Sequence, residues 1–226
     1  MTTARDLSNF IGPALSYKVK MVRLGVDVSV MYDSKVARND LFTRVKPAEL
    51  APRKGHIFSL MAAKLLVDSG FKSFQWFFYG SGLLLNELKL KVLELDLGDN
   101  CFFKGNIDHN ELLRKYKNNE VDVVVLSSIS SDAPEGVPVS LMEAMSFEIP
   151  VIATDSGGTK ELVDGRSGLL IQERDPVSIA NSIKVLFTGF EQRRKFGLNG
   201  RNKIINEFNT LKNAKELLDI FSIRRI

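Results

Sequence analysis

Two glutamates, Glu135 and Glu143, flank Gly136, Val137 and Pro138 in the segment EGVPVSLME. The segment follows a β-branched run, VDVVVLS at 121–127, and opens a stretch with helical spacing. Proline suits a first helical position because it lacks the N–H that would be orphaned there. The next amides, of Val139, Ser140 and Leu141, then have no acceptor within the helix. Such a helix start attracts anions, phosphate above all. Gly136 leaves room for close approach. Glu143 falls about one and a half turns into the helix, and its side chain leans back toward the mouth. Glu135 sits in the loop before it. Two carboxylates would repel phosphate alone, but they accept hydrogen bonds from paired hydroxyls. The chemistry is that of a ligand carrying both phosphate and sugar hydroxyls. The plainer alternative makes Glu143 a stabiliser of the first helical turns and Glu135 a solvated loop residue.

Other residues could share that mouth. Gly80-Ser81-Gly82 and Ser156-Gly157-Gly158 each stand between a strand and a helix, as tight turns or as places of close ligand approach. Lys54-Gly55 precedes an amphipathic helix over 56–67. The lysine reads as a point cation for phosphate or as an exposed loop residue. His56 and His109 are the only histidines and Cys101 the only cysteine. These exclude an internal disulfide and argue against a dedicated zinc site.

The elements that must position these residues alternate. Strands are expected at 19–23, 74–79, 101–103, 121–127, 150–154 and 168–171. Helices are expected at 83–97, from Asp108 through Tyr116, at 138–147 and 159–163. A further helix starts at Pro176, capped by Asp175, and two more run to about Ser222. Residues 33–40 read as a loop. This order predicts an α/β fold, a Rossmann-like parallel sheet with helices on both faces and extra helices at the C-terminus. Ligands of such sheets bind at the carboxyl ends of the strands, near a switch in strand order.

Composition is that of an ordinary globular chain: 226 residues, 44% hydrophobic, 26% charged, net charge +4. No apolar stretch approaches the roughly 20 residues of a membrane-spanning helix, and MTTARDLSNF lacks the layout of a secretory signal. A cytoplasmic protein is the simplest expectation. Basic residues gather late in the chain: Arg193, Arg194, Lys195, Arg201, Lys203, Arg224 and Arg225. They read as solvated helix faces or as an attraction to anionic lipid at the inner face of a membrane. No nucleic-acid-binding signature is present, so no nucleic-acid partner is expected.

From Val19 to about Phe221 the chain resembles the C-terminal, donor-binding domain of GT-B-fold glycosyltransferases, in the retaining family four (glycosyltransferases group 1). The resemblance rests on Gly25-Val26-Asp27, Lys54-Gly55, Gly80-Ser81-Gly82, FFKGNI at 102–107 and, above all, EGVPVSLMEAMSFEIPVIATDSGGTKELVDGRSGLLI at 135–171. Its flavour is that of enzymes assembling bacterial surface polysaccharide, lipopolysaccharide or capsule.

The resemblance implies roles. Glu143 would bind ribose hydroxyls and Glu135 the donor sugar. Amides from Val139 to Leu141 would meet diphosphate and sugar, Lys54 the diphosphate, and Asn106 and Ile107 the base. The donor would be a UDP-, GDP- or other nucleoside-diphosphate sugar, with no cofactor and no metal. The acceptor would be a glycan or a lipid-linked glycan. The implied organisation is a linker or domain remnant at 1–18, a nucleotide-sugar-binding domain at 19–190, and C-terminal helices at 191–226 that pack on an N-terminal domain or partner chain. Two departures stand against the family pattern. Glu49 occupies the place of an arginine five residues before the lysine, beside Pro47, which is expected to break a central strand. The second is the N-terminal acceptor domain that the resemblance implies, of which only a last stretch is expected in this sequence. A truncated remnant, or a subunit pairing with a separate N-terminal half, is therefore the rival to an enzyme.

Overall fold

A computed structural model describes residues 20–29, 42–130 and 136–222. Six strands form one sheet: β1 (Phe42–Pro47), β2 (Phe74–Tyr79), β3 (Cys101–Gly105), β4 (Val123–Leu126), β5 (Val151–Thr154) and β6 (Leu169–Ile171). Every pairing is parallel, and the order is β3-β2-β1-β4-β5-β6. The chain winds outward from β1 through β2 to β3, then returns to lay β4 on the other side of β1. The switch in direction therefore lies between β1 and β4.

The helices are α1 (His56–Asp68), α2 (Leu85–Glu94), α3 (His109–Lys117), α4 (Val139–Ser146), α5 (Thr159–Leu162), α6 (Pro176–Thr188), α7 (Phe190–Glu207) and α8 (Thr210–Ser222). One core joins α1, α2 and α6 to Phe42, Phe74, Trp76, Phe78, Val123, Val125 and Ile152. The opposite core joins α3, α4 and α5 to Val45, Val124, Leu126, Val151 and Ala153. Alternate strand residues thus feed opposite faces, as the pleat requires. In β4 and β5, covered on both sides, every residue is buried, which is why both read as unbroken apolar runs. Helix α7 spans the two cores, giving Phe196 to one and Ile204 to the other.

The expected caps form. Asp108 Oδ1 accepts from the Glu111 amide at 3.1 Å, and Asp175 Oδ1 from the Ser178 amide at 2.9 Å. Each such bond satisfies an amide that the first helical turn leaves without a partner.

Three expectations fail. The sequence suggests a strand at 19–23. Residues 20–25 form none, and the only pairing there is an isolated bridge between Val26 and Asn209. Val26 donates to the Phe208 carbonyl at 2.9 Å and accepts from Thr210 at 3.1 Å, so Gly25-Val26-Asp27 is tied to the α7–α8 junction. Val19 and the loop at 33–40 lie outside the described residues. Second, β1 was not expected, because Arg44 and Lys46 interrupt its apolar pattern. Both are fully buried.

Third, Pro47 does not break the central strand. It is the last residue of β1. The amides of Phe42 and Ala48 donate toward β2, to Ser73 and Tyr79. By alternation the Pro47 nitrogen faces β4, where pairing extends only over Arg44 and Val45. The missing donor therefore costs no ladder bond.

Candidate functional site

Because all strands are parallel, the loops after β1, β2, β3, β4 and β5 leave from one edge of the sheet. The two that flank the switch, after β1 and after β4, hold Lys54 and the start of α4.

The loop after β1 passes through a 3-10 turn, Pro52–Lys54, into Gly55. Gly55 has φ 57°, and a Cβ there would stand 2.0 Å from the Ser127 carbonyl oxygen at the end of β4. Only glycine lets the two loops approach this closely. The Ile129 amide donates to the Arg53 carbonyl at 2.9 Å, a second link across the switch. Beneath Lys54 lies a buried polar cluster. Lys46 Nζ donates to the Lys54 carbonyl at 2.7 Å and to Ser59 Oγ at 3.2 Å, and it also bonds Ser127 Oγ. Ser127 Oγ in turn donates to the Gly55 carbonyl at 2.7 Å. Burial and the charge of Lys54 push the Lys46 amine well below its ordinary pKa.

His56 opens α1 but does not face solvent. Its Nε2–H donates to the Glu49 carbonyl at 2.8 Å. Burial pushes its pKa down to about 2, so it is neutral and structural. Arg44, deeper on the same face, is pushed down to about 9 by burial. Its guanidinium lies 3.7 Å from the Phe74 ring centroid, a cation–π contact in place of hydrogen bonds. Glu49 is exposed and pairs with Arg53 at 2.9 Å.

On the β4 side, Glu135 lies outside the described residues, as do Ser131 and Asp132. Pro138 is the N-cap residue of α4, with ψ 115°, rather than its first helical residue. Its carbonyl accepts from both Leu141 and Met142 at 3.2 Å. The Leu141 amide is therefore used within the helix, and its side chain is buried in the core. Among the three expected donors, Val139 and Ser140 keep the open positions. Gly158, after β5, packs against Gly136 and Val137: a Cβ there would stand 3.0 Å from the Val137 nitrogen. Gly136 and Val137 are thereby held from the β5 side.

Glu143 keeps 15% of its side-chain exposure and bonds His109 Nε2 at 2.7 Å through Oε1. His109 opens α3. It is 63% exposed, but it also ties the start of α3 to α4. Tyr116 is fully buried beneath Glu143, its hydroxyl unpartnered, and burial pushes its pKa up. Asn106, exposed, and Ile107, half-buried against the α4 core, run directly into this helix start. The loop proposed for the base thus adjoins the carboxylate proposed for ribose. Gly80-Ser81-Gly82 lies against the outgoing β1 loop. A Cβ on Gly80 would stand 2.2 Å from the Ala48 carbonyl oxygen, at φ 140°. The Leu50 amide donates to the Ser81 carbonyl at 2.9 Å.

No local pattern marks Lys46, Ser59 and Ser127 as a unit. Their partners are 13 and 81 positions from Lys46. Among the described residues no cluster of three or more His, Cys, Asp or Glu could hold a metal, and no helix is long and apolar enough to cross a membrane.

The six-stranded parallel sheet with its switch point and helices on both faces defines the class: an α/β domain of the kind found in GT-B glycosyltransferases. Within that class, the family model for glycosyl transferases group 1 matches residues 34–203, and the chain belongs to that family. It is 34% identical over 189 residues to the putative glycosyltransferase EpsD of Bacillus subtilis, covering 82% of this chain and 46% of EpsD. It is 28% identical over 208 residues to the amylovoran biosynthesis glycosyltransferase AmsK of Erwinia amylovora, covering 90% and 50%. The chain spans about half the length of these curated relatives. Its fold is shared with HepE of Anabaena, solved in complex with UDP, at a TM-score of 0.80 and 21% identity, over 98% of this chain and 62% of that one.

Proposed function

We propose that this chain is the donor-binding half of a retaining glycosyltransferase of surface-polysaccharide assembly. It holds a nucleoside-diphosphate hexose, and the whole protein passes the hexose to a glycan or lipid-linked acceptor. Glu143 takes the ribose hydroxyls, and Asn106 and Ile107 the base. The Val139 and Ser140 amides take the diphosphate with Lys54, and Glu135 takes the sugar. The observation that carries this reading is the juxtaposition at the switch point: Gly55 against the end of β4, with Glu143 set inside the open end of α4. Fixed amides and a lysine aimed at the diphosphate stabilise the charge that grows on it as the glycosidic bond breaks. That positive charge removes the need for a metal, so UDP affinity should be unchanged by EDTA.

The acceptor domain supplies the rest of the cleft. A groove of about 560 Å³ between residues 20–25 and α8 is lined by Leu24, Leu217 and Phe221 among others. Leu24, Leu211, Leu218 and Phe221 are each more than half exposed, an apolar surface suited to that domain. Calorimetry with UDP and GDP tests the donor reading. A dissociation constant between about 1 µM and 1 mM is expected for a preformed half-site. No heat with any nucleoside diphosphate at millimolar concentration would overturn it.

The Glu49–Arg53 pair favours a second reading, in which the chain is a non-catalytic remnant or a subunit of a two-chain assembly. Sugar transfer by the chain mixed with a separately expressed N-terminal half, and none by either alone, would select the assembly. Three basic residues of α7 are engaged within the fold, while Arg194 and Lys195 are exposed and available to a membrane surface. Arg201 pairs with Glu148, Lys203 with Asp164, and Arg193 donates to the Phe187 carbonyl. Flotation with anionic vesicles tests that point.

A further inference from the structure

Lys46 is the buried titratable group nearest the candidate diphosphate site that the proposed chemistry leaves unused. Its amine has three recorded partners, one on each element that meets at the switch: the Lys54 carbonyl after β1, Ser59 on α1 and Ser127 at the end of β4. Three acceptors match the three hydrogens of an ammonium. All three are neutral, however, and a buried ammonium without an anionic partner is costly. The other charged or titratable groups around it do not help. Lys54 is a cation, felt at Lys46. His56 is held neutral. Arg44, two residues earlier on the same strand face, is a buried cation. The Glu49 carboxylate is exposed and bound to Arg53.

We propose that Lys46 is a positioning residue of the diphosphate site that couples ligand binding to proton uptake: a diphosphate seated at Lys54 draws a proton from solvent onto the Lys46 amine. The inference rests on the reading of Lys54 as a diphosphate ligand. Its physics is linkage. With the site empty, desolvation and Lys54 both disfavour the ammonium. An anion carrying two or more charges beside Lys54 reverses the local field. The ammonium then fills all three acceptors and fixes the Lys54 carbonyl, the first turns of α1 and the end of β4 around the ligand. The extra positive charge lies beneath the diphosphate, near the place where Glu49 stands instead of a cation.

The test is calorimetry of UDP binding at pH 8.5 in buffers of different ionisation enthalpy. At this pH the UDP phosphates have already titrated. The expected result is a heat that varies linearly with buffer ionisation enthalpy, with a slope of a fraction of one proton taken up per UDP. Lys46→Met should abolish the slope and weaken UDP on the order of tenfold, as losing a charged contact does. Lys46→Arg, which keeps its charge throughout, should bind without proton uptake. A merely structural lysine would alter affinity but leave wild-type binding independent of buffer. UDP binding with no buffer dependence, or with a slope that survives Lys46→Met, would overturn the inference while leaving the donor reading intact. Failure of UDP to bind at all would overturn the donor reading itself. The wild-type measurement needs no variant, so it stands even if Lys46→Met does not fold.

Discussion

The two sides of the switch point are built from different materials. On the β4–α4 side, an all-apolar strand delivers a helix that presents main-chain amides and one carboxylate at its start. On the β1–α1 side, two buried basic side chains, Arg44 and Lys46, stand in the strand itself. Arg44 is held by aromatic rings, and Lys46 by oxygens from three elements. The first side places partial charges through local secondary structure. The second places basic side chains through contacts distant in sequence. A backbone-built site tolerates change in most side chains, whereas a side-chain-built one depends on each partner being present.

The largest effect should come from the seam between the two sides. Gly55→Ala brings a methyl onto the Ser127 carbonyl and forces alanine to a left-handed conformation. Together these should cost about 2–4 kcal/mol, read as a lower urea midpoint. An unchanged midpoint would mean the loops are not locked together. Next, Glu143→Ala should weaken UDP by roughly 1–3 kcal/mol with little loss of stability, since it removes a charged acceptor at the mouth. His109→Ala, removing only a neighbour of that acceptor, should do less. Equal losses would make the His109 contact part of the ligand site.

A control lies away from the switch. Asp164 accepts from the Arg166 and Ser167 amides and from Lys203. These contacts outweigh its desolvation and hold its pKa below the carboxylate range. A depressed folded-state pKa stabilises above the unfolded value of about 4, and the contribution is lost as pH falls toward the folded value. Asp164→Asn should therefore cost about 1–2 kcal/mol at neutral pH, with a deficit that shrinks in acid and UDP affinity unmoved. A shift in affinity would mean this turn is coupled to the site.

The smallest effect concerns the exposed Glu49–Arg53 pair, where ion pairs contribute little. Glu49→Arg should leave stability nearly unchanged and tighten UDP by a few-fold at low salt, less at high salt. Weaker binding would show that Glu49 is needed where it stands.

This difference in construction also explains what could be read from sequence. The apolar strands β4 and β5 and the caps at Asp108 and Asp175 are local patterns, and these were legible. Strand β1 was not. Its inward positions carry Arg44 and Lys46, and only Phe74, Trp76, Ser59 and Ser127, supplied by other elements, make those positions a core. Pro47 looked like a strand breaker because its neighbours on the sheet were unknown. Pro138 was expected one residue too far into its helix, so the Leu141 amide was counted as open when it is bonded to Pro138. The His109–Glu143 contact joins residues 34 positions apart, and no periodicity reports such a pair.

The central claim is that one donor bridges the two sides, with ribose on Glu143 and diphosphate between the start of α4 and Lys54. A crystal structure of the chain with UDP tests it most directly. The account predicts ribose hydroxyls hydrogen-bonded to Glu143 and phosphate oxygens on the Val139 and Ser140 amides and Lys54. UDP bound elsewhere on the chain, or at this edge with its phosphates away from α4, would contradict it.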